Sequence, residues 1–277
     1  MSKIIAISNP KGGVGKTTTA INLAASLAIA EKRVLIIDMD PSSSVRAGLG
    51  LRRRDIHTGI FEVLSGAADL TEAIYPTGVA NLDILPANVF TSEEEIRLTE
   101  MAKNRIRIKR QLDGLRASNR LPYDFVLIDT PPSLNDLTIA ALLAADSVLV
   151  PLQCGHYALR AVERLMQMIV RIRKSANREL TVEGVVLNFY EKGTRASQRV
   201  TLQAERIFGH HLMRTYIPKN AAIGHADFEE KPIALVDITA PAARAYLALA
   251  QELLRRNAVT TFRPERDIPS WETEFVL

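Results

Sequence analysis

Apolar runs of strand length alternate with segments of helical periodicity along most of this chain. The runs at 4–7, 33–38 and 123–129 are continuous rather than alternating, which is typical of strands buried on both faces of a parallel sheet. Between the first two, the segment 17–30 predicts a helix, because its apolar residues recur at spacings of three and four: Ala20, Leu23, Ala24, Leu27 and Ala28. Strand, helix and strand in this order predict a right-handed βαβ unit.

The rest of the chain repeats this alternation. Further strands are predicted at 82–85, 147–151, 182–188 and 212–217, and further helices at 92–115, 134–145, 157–174 and 239–257. The helix at 92–115 opens with a capping-box pattern, in which Ser92 would be the N-cap and Glu95 the N3 residue. The stretch 45–80 has several glycines and no clear period, so no element is predicted there. The whole pattern predicts an α/β fold, with a doubly wound, mainly parallel sheet flanked by helices.

Composition narrows the class of protein. The chain has 277 residues, of which 47% are hydrophobic and 24% charged, as in ordinary globular proteins. We expect one domain at 1–257 and a tail at 258–277. Cys154 is the single cysteine, which excludes an intramolecular disulfide and a cysteine-rich metal site. No run has the layout of a signal peptide or the length of a membrane span, so we expect a cytoplasmic protein without a membrane partner.

Charge and aromatic content bear on a nucleic-acid partner. The formal net charge of +4 permits contact with DNA without establishing it. Aromatic residues make up 5% of the chain, so stacking on bases is not expected as the main binding mode. The run Arg52-Arg53-Arg54 is interpreted first as a solvated loop and second as a phosphate contact.

A glycine-rich loop follows the first predicted strand and leads into the first predicted helix. Its glycines allow backbone N–H groups to surround phosphate oxygens, and the helix N-terminus adds further N–H groups. Lys16 would reach the β- and γ-phosphates, and the Thr17 hydroxyl would ligate Mg²⁺. The common phosphate-loop pattern requires a glycine at position 10, where this chain has Pro10. The predicted nucleotide-binding residues of the loop are Lys11, Gly12, Gly13, Val14, Gly15, Lys16, Thr17 and Thr18.

Three carboxylates stand at the ends of two predicted buried strands. Asp38 and Asp40 end the second strand, and Asp129 ends the strand at 123–129. Ligands of open parallel sheets bind beyond the carboxyl ends of the strands, so these side chains are expected beside the phosphate loop. An aspartate that ends a buried strand is the usual second nucleotide motif, near the Mg²⁺ shell. For Asp38, a plain turn residue is the competing interpretation.

Four motifs in this order resemble those of the ParA/MinD group of ATPases: KGGVGKTT, LIIDMDP, LIDTPPS and IPKN. The resemblance covers about 1–257, is strongest to the ParA (Soj) branch, and implies a SIMIBI-like P-loop NTPase that hydrolyses ATP with Mg²⁺. It implies that Lys11 reaches the partner subunit's nucleotide, that Asp40 activates the attacking water, and that Asp38 and Asp129 join Thr17 at Mg²⁺. Lys11, Lys16 and Asp40 are thus the predicted catalytic residues.

The same resemblance extends to partners and outlying contacts. It implies nucleotide contacts from Asn188, Pro218 and Asn220, each of which could instead be a turn residue. It implies an ATP-dependent homodimer on the nucleoid, which binds DNA without sequence preference and whose hydrolysis a ParB-like protein stimulates. The predicted DNA-binding residues are Arg195, Arg199, Arg214 and Lys219. One departure is Ser42, where the group usually has glutamine.

Three alternatives to a partitioning ATPase have less support in the sequence. A MinD-like or cargo-positioning ATPase would act on a membrane or protein cluster, but the stretch 267–277 lacks the basic amphipathic helix of that branch. An iron–sulfur electron-transfer protein of the same superfamily needs two cysteines per subunit, and Cys154 stands alone. A small-molecule kinase or synthetase would need an acceptor site, for which no motif is visible. The sequence does not name the cargo.

Overall fold

A computed structural model describes residues 2–154 and 158–258 of the chain. The strands form one seven-stranded sheet in the order β3-β4-β2-β5-β1-β6-β7, and only the β3–β4 pair is antiparallel. This confirms the predicted doubly wound, mainly parallel α/β sheet. The strands are β1 Lys3–Ile7, β2 Val34–Asp38, β3 Tyr75–Pro76, β4 Leu82–Leu85, β5 Phe125–Asp129, β6 Ser147–Gln153 and β7 Thr181–Asn188.

Helices cover both faces of this sheet. They are α1 Lys16–Ile29, α2 Ser44–Gly48, α3 Ile60–Ser65, α4 Ser92–Met101, α5 Arg107–Ala117, α6 Asp136–Ala144, α7 Ala158–Ser175, α8 Arg195–Phe208, α9 Ala221–Phe228, α10 Ile233–Val236 and α11 Pro241–Ala258. Short 3-10 turns lie at Arg53–Asp55, Leu70–Ala73 and Gly209–His211. No helix in the described ranges is long and apolar enough to cross a membrane. The predicted tail 258–277 lies outside the described residues, apart from Ala258.

The continuous apolar strands separate two hydrophobic layers. Ile4 and Ala6 of β1 pack into the layer that contains α3 to α8, whereas Ile5 and Ile7 pack against α1 and α11. Because side chains alternate along a strand, an apolar residue at every position means that both faces of the strand are covered. Residues 4–7, 34–38 and 125–129 are buried for this reason.

Strand register brings the acidic strand ends together. Asp38 of β2 is directly opposite Asp129 of β5, and Ile7 of β1 is opposite Asp129 on its other side. The loop after β1 therefore leaves the sheet beside both carboxylates. This is the edge at which the sequence predicted a ligand site.

The predicted helix at 92–115 is wrong in its continuity, since α4 ends at Met101 and α5 begins at Arg107. An unbroken helix that buries Leu98 and Ala102 would also turn Arg105 toward the core. The break changes the helical phase, so that Ile108 is buried in place of Arg105. Arg105 is then exposed and pairs with Asp136 at 2.6 Å.

The predicted capping box is also wrong, by one residue. Thr91 is the N-cap of α4, and its hydroxyl accepts a hydrogen bond from the Glu94 N–H at 3.2 Å. The Glu94 carboxylate accepts in return from the Thr91 N–H at 3.0 Å. Both Thr91-x-x-Glu94 and Ser92-x-x-Glu95 fit the pattern, so the sequence alone does not distinguish them.

The predicted strand at 212–217 is not a strand. The segment contacts β7 at one isolated bridge, Val185–Leu212, and through the N–H groups of Met213 and Ile217, which donate to the Val185 and Leu187 carbonyls at 2.8 Å. Between them, the N–H groups of Arg214 and Thr215 donate to the Glu252 carboxylate of α11 rather than to a neighbouring strand. The Glu252 side chain therefore interrupts the pairing with β7 at two neighbouring N–H groups.

Candidate functional site

The glycine loop after β1 has a conformation that requires glycine. Gly13 and Gly15 have φ of 69° and 85°, in the left-handed region. A Cβ on Gly15 would also lie 2.8 Å from the Asn188 amide nitrogen. Gly15 is the N-cap of α1 and has no side chain to satisfy the N–H groups of the first turn. These N–H groups therefore remain for a ligand, as at other anion-binding helix starts.

Neighbouring strands hold this loop in place through two asparagines. The Asn9 amide donates to the Pro151 carbonyl of β6 at 2.7 Å, and its oxygen accepts from the Lys11 N–H at 2.9 Å. The Asn188 amide donates to the Val14 carbonyl at 3.0 Å and to the Thr19 hydroxyl at 3.1 Å. Both asparagines are buried. The loop is thus fixed at both ends.

Lys16 lies inside the loop. It is buried, and its ammonium group donates to the Lys11 carbonyl at 3.5 Å. Burial lowers the pKa of Lys16, while the charges of Asp129 and Asp40 act in the opposite direction. The ammonium therefore lies within electrostatic reach of Asp129 and Asp40, two of the three carboxylates predicted for this site.

Asp129 and Thr17 form a direct pair. The Thr17 hydroxyl donates to one carboxylate oxygen of Asp129 at 2.7 Å. The other oxygen, Oδ1, is buried and has no hydrogen-bond partner among the described residues. Burial raises the pKa of Asp129 to about 7, opposed by the Thr17 hydrogen bond. An unpaired buried carboxylate oxygen beside a threonine hydroxyl is a suitable pair of ligands for Mg²⁺.

Asp38 and Asp40 differ in exposure. Asp38 is fully buried, and burial together with the charges of Asp129 and Asp40 raises its pKa well above the usual range. Its oxygens accept from the N–H groups of Asp40 at 3.1 Å and Val45 at 3.3 Å. Asp40 is partly exposed, and its carboxylate accepts from the Ser42 N–H at 3.0 Å. Of the two, Asp40 is the carboxylate open to a reacting molecule.

The three carboxylates do not form a metal cage by themselves. Within the described ranges, no group of three or more His, Cys, Asp or Glu side chains is arranged to hold a metal ion. Mg²⁺ usually binds one or two carboxylates and takes its other ligands from waters and substrate phosphates. The residues therefore fit a magnesium ion that arrives with a phosphate-bearing ligand.

Two residues at this edge, Gln153 and Asn9, were not among the site residues predicted from the sequence. The Lys11 ammonium donates to the Gln153 side-chain oxygen at 3.1 Å, so Lys11 points toward its own subunit's β6. Asn9 anchors the loop to the same strand. Their roles depend on β6 lying beside β1, which becomes visible only with the strand order. The sequence indicated only that Asn9 and Pro10 end the first predicted strand.

The residues predicted at the base side lie at the end of β7 and in the segment before α9. Asn188 ends β7, and its side-chain oxygen is buried without a partner in the described part of the chain. Tyr190 bridges Pro218, and Asn220 caps α9 by accepting from the Ala222 N–H at 2.9 Å. Asn188 therefore both supports the loop and keeps an unused acceptor, whereas the Asn220 side-chain oxygen is engaged.

The predicted DNA-binding residues are not all equivalent. Arg195 and Arg199 are exposed one helical turn apart on α8, and Arg214 is exposed at 212–217. Arg214 also lines an open groove of about 800 Å³ between α8, the following loop and the end of α11. Lys219 instead pairs with Glu191 at 3.1 Å. Arg195 and Arg199 form the clearest basic pair of the set.

Sequence relatives match most of this chain. A protein-family profile described as an AAA domain matches residues 2–182. The chromosome partitioning protein ParA of Caulobacter vibrioides is 42% identical over 254 residues, which cover 92% of this chain and 94% of that protein. The sporulation initiation inhibitor protein Soj of Bacillus subtilis is 40% identical over 253 residues, covering 91% and 98%. The chain belongs to the ParA/Soj family of chromosome-partitioning ATPases.

A solved structure supports the fold of this ParA/Soj family member. The septum site-determining protein MinD of Pyrococcus horikoshii, complexed with Mg-ADP, has a TM-score of 0.76 and 26% identity. The match covers 95% of this chain and 100% of that one. The predicted family is thereby confirmed, and so is the fold of a nucleotide-binding P-loop ATPase.

Proposed function

We propose that this chain is a Mg²⁺-dependent ATPase that dimerises on ATP, binds DNA without sequence preference and moves DNA with a ParB-like partner. The observation that carries the proposal is the Pro10-Lys11 phosphate loop beside Asp129 and Asp40. Membership of the ParA/Soj family supports the same activity. The reaction is ATP + H₂O to ADP + phosphate, with the protein acting on the nucleoid.

The loop supplies the binding of the phosphates. The N–H groups of the first turn of α1 and the Lys16 ammonium offer positive charge to phosphate oxygens. Thr17 and Asp129 would hold Mg²⁺, and Asp38, buried behind Asp129, would act on the ion through water. When bound, Mg²⁺ neutralises the phosphate charge that builds up during transfer. Asn188, Pro218 and Asn220 are proposed to line the base side.

Asp40 is the proposed group that positions the attacking water. Its carboxylate is fixed by the Ser42 N–H and by its place two residues after β2, yet it stays partly exposed. A carboxylate so held can accept the hydrogen bond of a water molecule and orient its oxygen toward phosphorus. This contact uses the Ser42 backbone, so replacing the family's glutamine side chain by serine leaves it intact.

Lys11 is proposed to act on the partner subunit's nucleotide. A lysine supplied in trans stabilises the charge on the transferred phosphoryl group, as an arginine finger does. Each site is then incomplete in the monomer, so hydrolysis requires the dimer. Dimerisation also doubles the basic surface formed by Arg195, Arg199, Arg214 and Lys219, which makes DNA affinity depend on bound ATP.

A membrane surface is the second candidate for what the dimer binds, because the fold matches MinD so closely. A sedimentation assay distinguishes DNA from a membrane surface as the binding partner. The ATP-bound protein is expected to pellet with DNA and to release it as salt rises, and not to pellet with vesicles of anionic lipid. Pelleting with vesicles alone would favour the second candidate.

The test of the proposed function uses the full chain with Mg²⁺ and ATPγS, a slowly hydrolysed analogue. Analytical ultracentrifugation is expected to give dimers with ATPγS and monomers with ADP. Filter binding to unrelated DNA duplexes is expected to give equal affinities, and only with ATPγS. Monomers under both conditions, or DNA binding that ignores the nucleotide, would contradict the proposal. A ParB-like partner is then identified by its stimulation of ATP turnover.

A further inference from the structure

Lys11 is held within its own subunit by two independent contacts with β6. Its N–H donates to Asn9, whose amide donates to the Pro151 carbonyl, so the backbone of Lys11 is fixed relative to β6. Its ammonium then donates to the side chain of Gln153, the last residue of β6, at 3.1 Å. The backbone contact places the side chain, and the Gln153 amide fixes its direction.

The partner of the ammonium is neutral. No ion pair of Lys11 is found in the parts of the chain that the structure describes. An amide oxygen orients an ammonium group by one hydrogen bond without neutralising its charge, whereas a carboxylate would add an ion pair. The contact is therefore directional and easily exchanged, and the full positive charge stays available for another anion.

We infer that Gln153 is a positioning residue, which holds Lys11 in cis and releases it when the partner subunit's nucleotide arrives. The inference rests on the proposed function, in which Lys11 acts in trans. Lys11 cannot contact both sites at once, so the apparent dimer affinity is reduced by the fraction of lysines that are free. Both subunits of a two-fold dimer must release their lysine, so this factor enters twice.

Two substitutions of similar size should therefore have opposite effects. Gln153→Glu keeps the oxygen acceptor and adds a charge that retains Lys11, and it is expected to raise the dimer dissociation constant about tenfold or more. Gln153→Met keeps the length but removes the amide, and it is expected to lower that constant about threefold. As a control, Gln251→Glu adds the same charge at an exposed position of α11, and it should leave the dimer dissociation constant unchanged.

The constants are measured by sedimentation equilibrium with saturating Mg-ATPγS. Binding of a fluorescent ATP analogue to dilute monomer serves as the second readout, and it is expected to stay within about twofold of wild type for all variants. If wild type dimerises but both Gln153 variants weaken the dimer, or neither changes it, the Gln153 role is overturned and the proposed function stands. A matching loss of monomer affinity in Gln153→Glu also overturns that role. Absence of a wild-type dimer overturns both.

Discussion

At the scale of single residues, the carboxylates of the site are poorly compensated by the chain itself. Asp129 has one oxygen on the Thr17 hydroxyl and another that is buried without a partner. Asp38, opposite it in the sheet, is fully buried as well. Burial raises the pKa of both groups, because neither charge is solvated by water. Such a site stabilises a bound cation at the expense of folding.

The pH dependence of stability follows from Asp129. Its pKa is about 7 in the folded chain and near 3.8 when unfolded, so the folded state holds the extra proton and stability falls as pH rises between these values. Without nucleotide or Mg²⁺, Asp129→Asn should raise the free energy of unfolding at pH 8 by about 2 kcal/mol more than at pH 5.5. Urea denaturation at the two pH values measures this difference.

The control for that measurement is Asp113→Asn, on the exposed side of α5, whose effect should be small at both pH values. An equal gain from Asp129→Asn at pH 5.5 and pH 8 would show that Asp129 is already ionised at the lower value. That result would contradict the raised pKa of Asp129 and the claim that its buried charge is uncompensated without a bound cation.

Residue-level prediction from the sequence reached the loop and the carboxylates, because their roles follow from short spacings at strand ends. Lys16, Thr17, Asp38 and Asp129 meet at one sheet edge for that reason. Gln153 and the loop-supporting contact of Asn188 could not be predicted in the same way. Both depend on which strand lies beside which, and that order is not encoded in any local pattern.

At the scale of elements, the buried strands were predictable and the polar segments were not. Continuous apolar runs have one stable arrangement in a parallel sheet, covered on both faces. The segment 212–217 has the polar residues Arg214 and Thr215 at its centre, and the Glu252 carboxylate accepts from their N–H groups, so no continuous ladder forms. The break between α4 and α5 likewise reflects tertiary packing, which favours burying Ile108 over continuing a helix.

The start of α4 gives a test at this scale. Thr91→Ala removes the hydroxyl that accepts from Glu94, so it should lower the free energy of unfolding by about 1 kcal/mol. Ser92→Ala, the matched change one residue later, should alter it by less than about 0.5 kcal/mol. Thermal or urea unfolding distinguishes the two variants. A larger loss from Ser92→Ala would restore the cap that the sequence suggested.

At the scale of the whole molecule, the proposed ATP-bound dimer presents basic residues from two subunits to DNA. Arg195→Ala with Arg199→Ala removes four positive charges from the ATP-bound dimer, so it should lower the DNA affinity about tenfold or more at low salt and make the salt slope shallower by about 3.6, roughly 0.9 for each charge. Arg97→Ala on α4, combined with Lys103→Ala in the turn that follows α4, removes the same charge from another exposed surface and serves as the control. Equal losses from both pairs would mean that net charge, and not the α8 pair, determines binding.

Subunit complementation tests the central claim, a shared ATPase site in the dimer. Lys11→Ala and Asp40→Ala should each abolish steady-state ATP turnover alone. Mixed together, they form heterodimers in which Lys11 of one subunit completes the site that retains Asp40 in the other. With statistical mixing, about a quarter of the wild-type rate should return. A mixture as inactive as its components would contradict the claim, and so would a Lys11→Ala protein that hydrolyses ATP normally.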